Sequence, residues 1–372
     1  MKKLISLLLA ACLLLTACAA PDPAQAEIEA QAQAVDSGRE KALAALSEHI
    51  DSLYDKYCTY YDADEYRLML QDYSGSFGGV GISMTKDEDY IVVYQVLNSG
   101  PAKDSPLVPG DRIIAVDGES ILGFDTEQAA LLIRGEIGSP VTLTVLDTAE
   151  QEYELTLVRQ EIVSSSLQGE RIEEAENTAY ILIYDFTGQT AQEFVDEYNR
   201  LREEGPIDWL IVDLRSNVGG NFYAAIAIGE LFVPRGHTVV SEKLTQGEKV
   251  YTSGSGQLQS VKPVVLENEW TASASEVLAG ALRDEAGAYL IGTTSYGKGI
   301  TQTIEPQASG GAWKYTRSLY YTPSGFDLNG VGLEPDLEVE PAEDITNEDY
   351  FSTDPARDPH LRAAVDYINS RL

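Results

Sequence analysis

The stretch from Thr271 to Gln302 gathers the side chains best suited to chemistry. It begins Thr271-Ala272-Ser273-Ala274-Ser275-Glu276 and ends Tyr296-Gly297-Lys298-Gly299-Ile300-Thr301-Gln302. A serine at a helix start lies beside N–H groups that have no acceptor along the chain, at the positive end of the helix dipole. Such donors, the Ala274 N–H among them, stabilise the oxyanion of acyl transfer. A serine nucleophile also needs a base, and His49, His237 and His360 are scattered with none close in sequence. Lysine serves if its pKa falls from ~10.4 toward neutrality, a drop of about three units or roughly 4 kcal/mol. Burial drives that shift and a neighbouring carboxylate opposes it. Lys298, set between two glycines after an apolar strand, meets the first condition if it packs closely. Glu276 is the carboxylate whose direction decides the second.

Plainer uses exist for the same residues. Ser273 and Glu276 fit a capping box, a common motif worth about 1 kcal/mol. A lysine flanked by glycines is ordinarily an exposed loop cation. Ser275 is the alternative nucleophile, two residues on and turned to another side of the helix at about 100° per residue.

These residues need elements to hold them. The helix from about 273 to 285 carries Val277, Leu278, Ala281 and Leu282 on one face, between the apolar strands Lys262 to Leu266 and Tyr289 to Ile291. Earlier, the strands Ala179 to Asp185 and Trp209 to Leu214 alternate with helices over 191–202 and 219–231. Apolar strands separated by helices predict an α/β core with a largely parallel sheet over 161–340. Between 77 and 160 the pattern is short strands and one helix, a β-rich domain inserted ahead of that core. A helix over 39–57 has an apolar seam of Leu43, Leu46, Ile50, Leu53 and Tyr57, which packs on its own body or serves as a dimerisation arm. A short helix follows over 62–73, completing an N-terminal helical region over 39–76. Residues 341–372 form an acidic segment and a last helix.

Composition bounds the compartment and the partners. Lys2 and Lys3 precede an apolar run from Leu4 to Leu15, too short for ~30 Å of hydrocarbon, so residues 1–18 read as a secretory signal and 19–38 as a tether. Leu15-Thr16-Ala17-Cys18 resembles a bacterial lipoprotein cleavage box, which implies a lipid on Cys18 and a cell-membrane protein facing away from the cytoplasm; an ordinary cleaved signal is the alternative. With Cys12 leaving in the signal, Cys58 is then the remaining cysteine, so no disulfide framework is expected. A net charge of −34 argues against nucleic acid and against electrostatic adhesion to anionic lipid, so any membrane attachment must come from acyl chains. No pair of histidines has metal-ligand spacing, and neither metal nor cofactor is expected.

Two resemblances sharpen the reading. Gly78-Gly79-Val80-Gly81-Ile82, Pro109-Gly110-Asp111-Arg112-Ile113 and Asp117-Gly118 appear in the order of a PDZ domain. That likeness implies that Gly79, Val80, Gly81 and Ile82 cradle the carboxylate of a protein tail while the adjoining strand edge adds it as a further strand; a tight turn without ligand is the alternative. Ala272 to Glu276, Tyr296 to Gly299 with Gln302, and Asp213-Leu214-Arg215-Ser216-Asn217-Val218-Gly219-Gly220 resemble the carboxyl-terminal processing peptidases, or tail-specific proteases. The similarity runs from about Phe77 to Asp336 and takes in Tyr321-Thr322-Pro323-Ser324-Gly325. It implies Ser273 as nucleophile, Lys298 as general base, Gln302 as its assistant, and Gly219 as the second oxyanion donor beside Ala274. Val218 stands where the family commonly has proline. On a regular strand Lys298 and Gln302 would lie about 13 Å apart, so their contact requires a bend, best placed at Gly299. Arg134 falls where some members carry an arginine that senses bound peptide; a surface charge ending a helix is the equal alternative. The expected protein is a lipid-anchored, exported serine endopeptidase acting on protein tails. A catalytically silent PDZ-containing peptide binder and an esterase are the rivals.

Overall fold

The computed structural model describes residues 55–340 and 353–372, apart from 98, 99, 164 and 245. The signal with Cys18, the tether, most of the helix expected over 39–57 and the acidic segment 341–352 lie outside the described residues. Two compact units emerge: a smaller one formed by the described residues up to Tyr66 with Thr303–Tyr315, and a larger one formed by the described residues of Arg67–Gln302 and Thr316–Leu372.

In chain order, β1 (Thr59–Tyr61) and α1 (Ala63–Ser74) come first. β2 (Ser76–Gly79) leads into β3 (Ile82–Asp87), β4 (Tyr90–Val96), β5 (Arg112–Val116), β6 (Glu119–Ser120), α2 (Thr126–Ile133), β7 (Pro140–Leu146) and β8 (Glu152–Val158). β9 (Gln160–Val163) pairs antiparallel with β2, so the insertion leaves and rejoins the chain at one neck. Then come β10 (Leu167–Ile172), β11 (Thr178–Ile183), α3 (Thr190–Glu203), β12 (Trp209–Asp213), α4 (Phe222–Phe232), β13 (Thr238–Lys243) and β14 (Glu248–Thr252). β15 (Lys262–Glu267), α5 (Ala274–Ala286), β16 (Tyr289–Gly292), β17 (Ile300–Pro306), β18 (Ala312–Tyr321), β19 (Leu337–Glu338) and α6 (Pro359–Asn369) follow.

In the smaller unit β1 pairs antiparallel with the start of β18, Thr59 opposite Lys314, and the Tyr60 ring lies tilted on Trp313 with centroids 5.1 Å apart. In the larger unit a six-stranded sheet has the order β10-β11-β12-β15-β16-β19. β11 through β19 in that order run parallel, and only β10 is antiparallel. Every residue of β11 and β12 is buried, as expected of strands covered on both faces. Alternation sorts their side chains: Ile181, Leu210 and Val212 pack with α3, α4 and α5, whereas Tyr180, Trp209 and Ile211 pack with α6. The carboxyl ends of the parallel strands, Asp213, Glu267 and Gly292, therefore share one edge. The loops that follow them carry the residues singled out above, as open α/β sheets tend to arrange.

The inserted module is an antiparallel sheet of order β3-β4-β5-β7-β8 with its own core of Ile91, Val93, Ile113, Leu143 and Val145. β3 is an edge strand. Asp125 and Gln128 close a capping box at the start of α2. Arg159 donates to the Leu132 and Ile133 carbonyls at the other end, where a cation also suits the helix dipole.

Candidate active site

Ser273 stands immediately before α5 with φ 58° and ψ −115°, a left-handed conformation that a non-glycine residue keeps only when its surroundings impose it. The imposing contacts begin in the preceding turn. Thr271 Oγ1 donates to the Leu214 carbonyl at 2.9 Å, Ala272 N–H to the Asn217 carbonyl at 3.0 Å, and Ser216 N–H to Asn268 Oδ1 at 2.8 Å. The nucleophile turn and the Asp213–Gly220 loop are thus one fastened unit. Gly219, at φ 105°, lies so close that a Cβ there would fall 2.8 Å from Ser273 Cβ and 2.9 Å from Ala274 N, which only glycine avoids. In this conformation the Gly219 N–H donates to Asn217 Oδ1 at 2.9 Å, so it meets an oxyanion only if that amide turns away. Ala274 N–H, first of the helix, is one of the early donors without an intrahelical acceptor.

Ser275 is fully buried and its hydroxyl donates to the Asn217 carbonyl at 2.9 Å, which sets it aside as nucleophile. His237 pairs with Glu285 at 2.7 Å, near the far end of α5 and about 18 Å along the helix from Ser273.

Glu276 is fully buried, and each of its oxygens accepts from two donors. Oε1 takes the Ser295 hydroxyl at 2.6 Å and the Gly297 N–H at 2.7 Å; Oε2 takes the Ser273 N–H at 2.8 Å and the Lys298 N–H at 2.9 Å. Burial pushes its carboxyl above the ordinary range, and the four hydrogen bonds pull against that shift. The carboxylate therefore faces the backbone N–H of Lys298 in these contacts, and it ties the serine turn to the lysine loop. Lys298 is half-buried, and its Nζ donates to Gln302 Oε1 at 3.2 Å. Contact across four residues is reached because Lys298 and Gly299 precede β17 and lie outside regular strand. The flanking glycines are needed for packing: a Cβ on Gly297 would fall 2.8 Å from the Val331 and Gly332 nitrogens, and one on Gly299 would fall 2.8 Å from Asn329.

Behind the loop, the fully buried Arg215 grips Asp213 and Asp358. Tyr180 donates to the same Asp213 at 2.6 Å, and Asp358 also caps α6 by accepting from the His360 and Leu361 N–H groups. The motif arginine is thus a strut between the loop and the last helix. Sequence alone shows no role for Asp213, Arg215 or Asn217 within the Asp-Leu-Arg-Ser-Asn motif, because the partners of the first two, Tyr180 and Asp358, and those of Asn217, Ala272 and Ser275, lie far away in the chain.

In the inserted module the open edge of β3 and α2 bound a groove of about 530 Å³ lined by Ile82, Met84, Ala130 and Arg134 among others. A smaller cavity of about 70 Å³ continues it and is lined by Gly79, Val80, Gly81 and Ile82. All five residues named for peptide binding therefore meet here. The Arg134 guanidinium lies over the Phe77 ring, 4.1 Å from its centroid, at the rim of both spaces.

Known proteins match both halves. Residues 67–146 match the PDZ domain and residues 177–339 match Peptidase family S41. A carboxy-terminal-processing protease of Bartonella bacilliformis is 34% identical over 77% of this chain and 67% of its own length. A probable CtpA-like serine protease of Staphylococcus haemolyticus is 32% identical over 80% of this chain; the chain spans only 59% of that relative. Among solved structures, the photosystem II D1 C-terminal processing protease is 25% identical with a TM-score of 0.52, over 88% of this chain and 86% of that one.

Proposed function

Since this chain belongs to peptidase family S41, we propose that it is a serine endopeptidase of the Ser-Lys type that takes protein tails through its PDZ groove. The observation that carries the mechanism is the pairing of Lys298 Nζ with the neutral Gln302 amide at 3.2 Å, while Glu276 is occupied with the N–H groups of Ser273 and Lys298. An amide acceptor does not by itself hold the amine protonated, as a carboxylate would.

In this reading neutral Lys298 takes the Ser273 hydroxyl proton as the oxygen attacks the scissile carbonyl. Negative charge develops on the carbonyl oxygen, where the Ala274 N–H and a Gly219 N–H released from Asn217 stabilise it. The lysine then gives its proton to the departing amine, leaving an acyl-serine. Water, deprotonated by the same lysine, releases the carboxylate product and restores the serine. The groove beside β3 supplies the substrate: an extended tail adds to the strand edge, and its carboxylate seats at the Gly79–Ile82 loop. Names of the relatives, carboxy-terminal processing proteases, support this choice of substrate. Export and attachment through acyl chains on Cys18 complete the proposal.

The test is cleavage of an unstructured protein. Ser273→Ala and Lys298→Ala each abolish it while the circular dichroism spectrum and tail binding persist. Near-normal turnover by Lys298→Ala would refute the dyad.

A further inference from the structure

Tyr320, in β18, is 1% exposed, and its hydroxyl reaches both halves of the site. It donates toward the Ser273 carbonyl at 2.9 Å and toward the Lys298 carbonyl at 2.7 Å. Its own N–H donates to the Gly299 carbonyl at 3.0 Å. The ring lies against Phe222, centroids 6.2 Å apart, on the first residue of the helix that follows Gly219 and Gly220. One side chain therefore touches the nucleophile turn, the base loop and the helix behind the oxyanion loop. Glu276 meets Ser273 and Lys298 from their amide side, and Tyr320 meets the same two residues from their carbonyl side.

We propose that Tyr320 is a positioning residue of the reaction: its hydroxyl fixes the separation of Ser273 and Lys298 and holds Ser273 in its left-handed conformation. This rests on the peptidase reading above. A hydroxyl has one proton, so the two carbonyls share one donor, and any drift of the serine from the lysine lengthens one contact or the other. A non-glycine residue in such a conformation is strained and relaxes when it is no longer over-determined. The remaining contact at the Ser273 carbonyl, from Val277 N–H at 3.0 Å, belongs to α5 alone and carries no information about Lys298. Alternation along β18 singles out Tyr320, because its neighbour Tyr321 is only half-buried.

The experiment uses the full chain with Tyr320→Phe, which keeps the ring and removes the oxygen, and Tyr321→Phe as control. Rates are taken per folded molecule, with the folded fraction read from thermal unfolding. We expect kcat on an unstructured protein and the rate of Ser273 labelling by a serine-reactive phosphonate to fall about 100-fold, as for a misplacement near 1 Å. KM, and affinity for a C-terminal peptide, stay unchanged, and Tyr321→Phe behaves as the parent. A Tyr320→Phe protein with the parent's kcat overturns the proposal, as does a loss shared equally by Tyr321→Phe. Failure of the underlying reading looks different: the parent protein itself neither turns over nor labels at Ser273, and the proposal falls with it.

Discussion

Two buried glutamates near α5 show how residue type alone misleads about charge. Glu276 has four donors around it and works as an acceptor. Glu267, at the end of β15, is fully buried, and neither of its oxygens has a hydrogen-bond partner among the described residues. Burial raises its pKa well above the usual carboxylate range; Glu276 and Asp336 push the same way, and Arg283 opposes them. An acid whose folded pKa is raised contributes stability that is full below its unfolded value of ~4.3 and is lost as pH rises through the folded value. Glu267→Gln therefore should match the parent in thermal unfolding at acid pH and grow more stable than it as pH rises; parallel curves at all pH values would contradict this. At this scale Ser273 and Lys298 were legible as candidates from their types and setting, and Gln302 through the family resemblance alone. Tyr320 was not, because its role depends on a fold that brings β18 beneath two loops distant in sequence.

Among the elements, periodicity carried the reading where burial is two-sided or strictly alternating. β11, β12 and α5 stand out as apolar runs or a three-four repeat, and the structure places all three in the core. β13 and β14 escaped it, because Thr238–Lys243 and Glu248–Thr252 mix apolar residues with charges and are joined by a polar turn. The pairing of β2 with β9 was equally hidden, since a ladder between residues more than eighty apart leaves no local pattern. The groove gives a prediction that belongs to two elements together. Ala130 on α2 faces β3 across it, so Ala130→Trp fills the space that an added strand needs. Affinity for a C-terminal peptide, measured by fluorescence anisotropy, should fall by at least about tenfold, or ~1.4 kcal/mol. Phosphonate labelling of Ser273 should persist, which separates tail capture from chemistry. Unchanged peptide affinity would move the binding site elsewhere.

Taken as a whole, the molecule joins a PDZ insertion to an S41 core and packs its last helix on that core's sheet. Asp358 serves Arg215 and the start of α6 at once, so the sheet edge that carries the site and the C-terminal helix stand or fall together. Burial alone would raise the Asp358 carboxyl, but the His360 ring 3.8 Å away and the Arg215 guanidinium outweigh it and hold it below the usual range. Its contribution is therefore present above the unfolded value near 3.9 and is lost as pH falls through the folded one. At its other end the chain offers a further whole-molecule prediction. Cys18→Ala should release the protein from the membrane fraction of a bacterial host without changing its turnover, and retention there would rule out a lipid anchor as the attachment.

The open edge of β3 has one more consequence. The edge of β3, at the end of its sheet, can equally accept β3 of another copy, the geometry from which strand-to-strand aggregates grow. Lys86 and Asp87 place charges at the far end of the edge, while Ile82 and Met84 supply apolar side chains at the near end. Over longer range the net charge of −34 keeps copies apart. The acidity that argues against nucleic acid thus also acts as a colloidal guard for a protein with an edge strand of this kind.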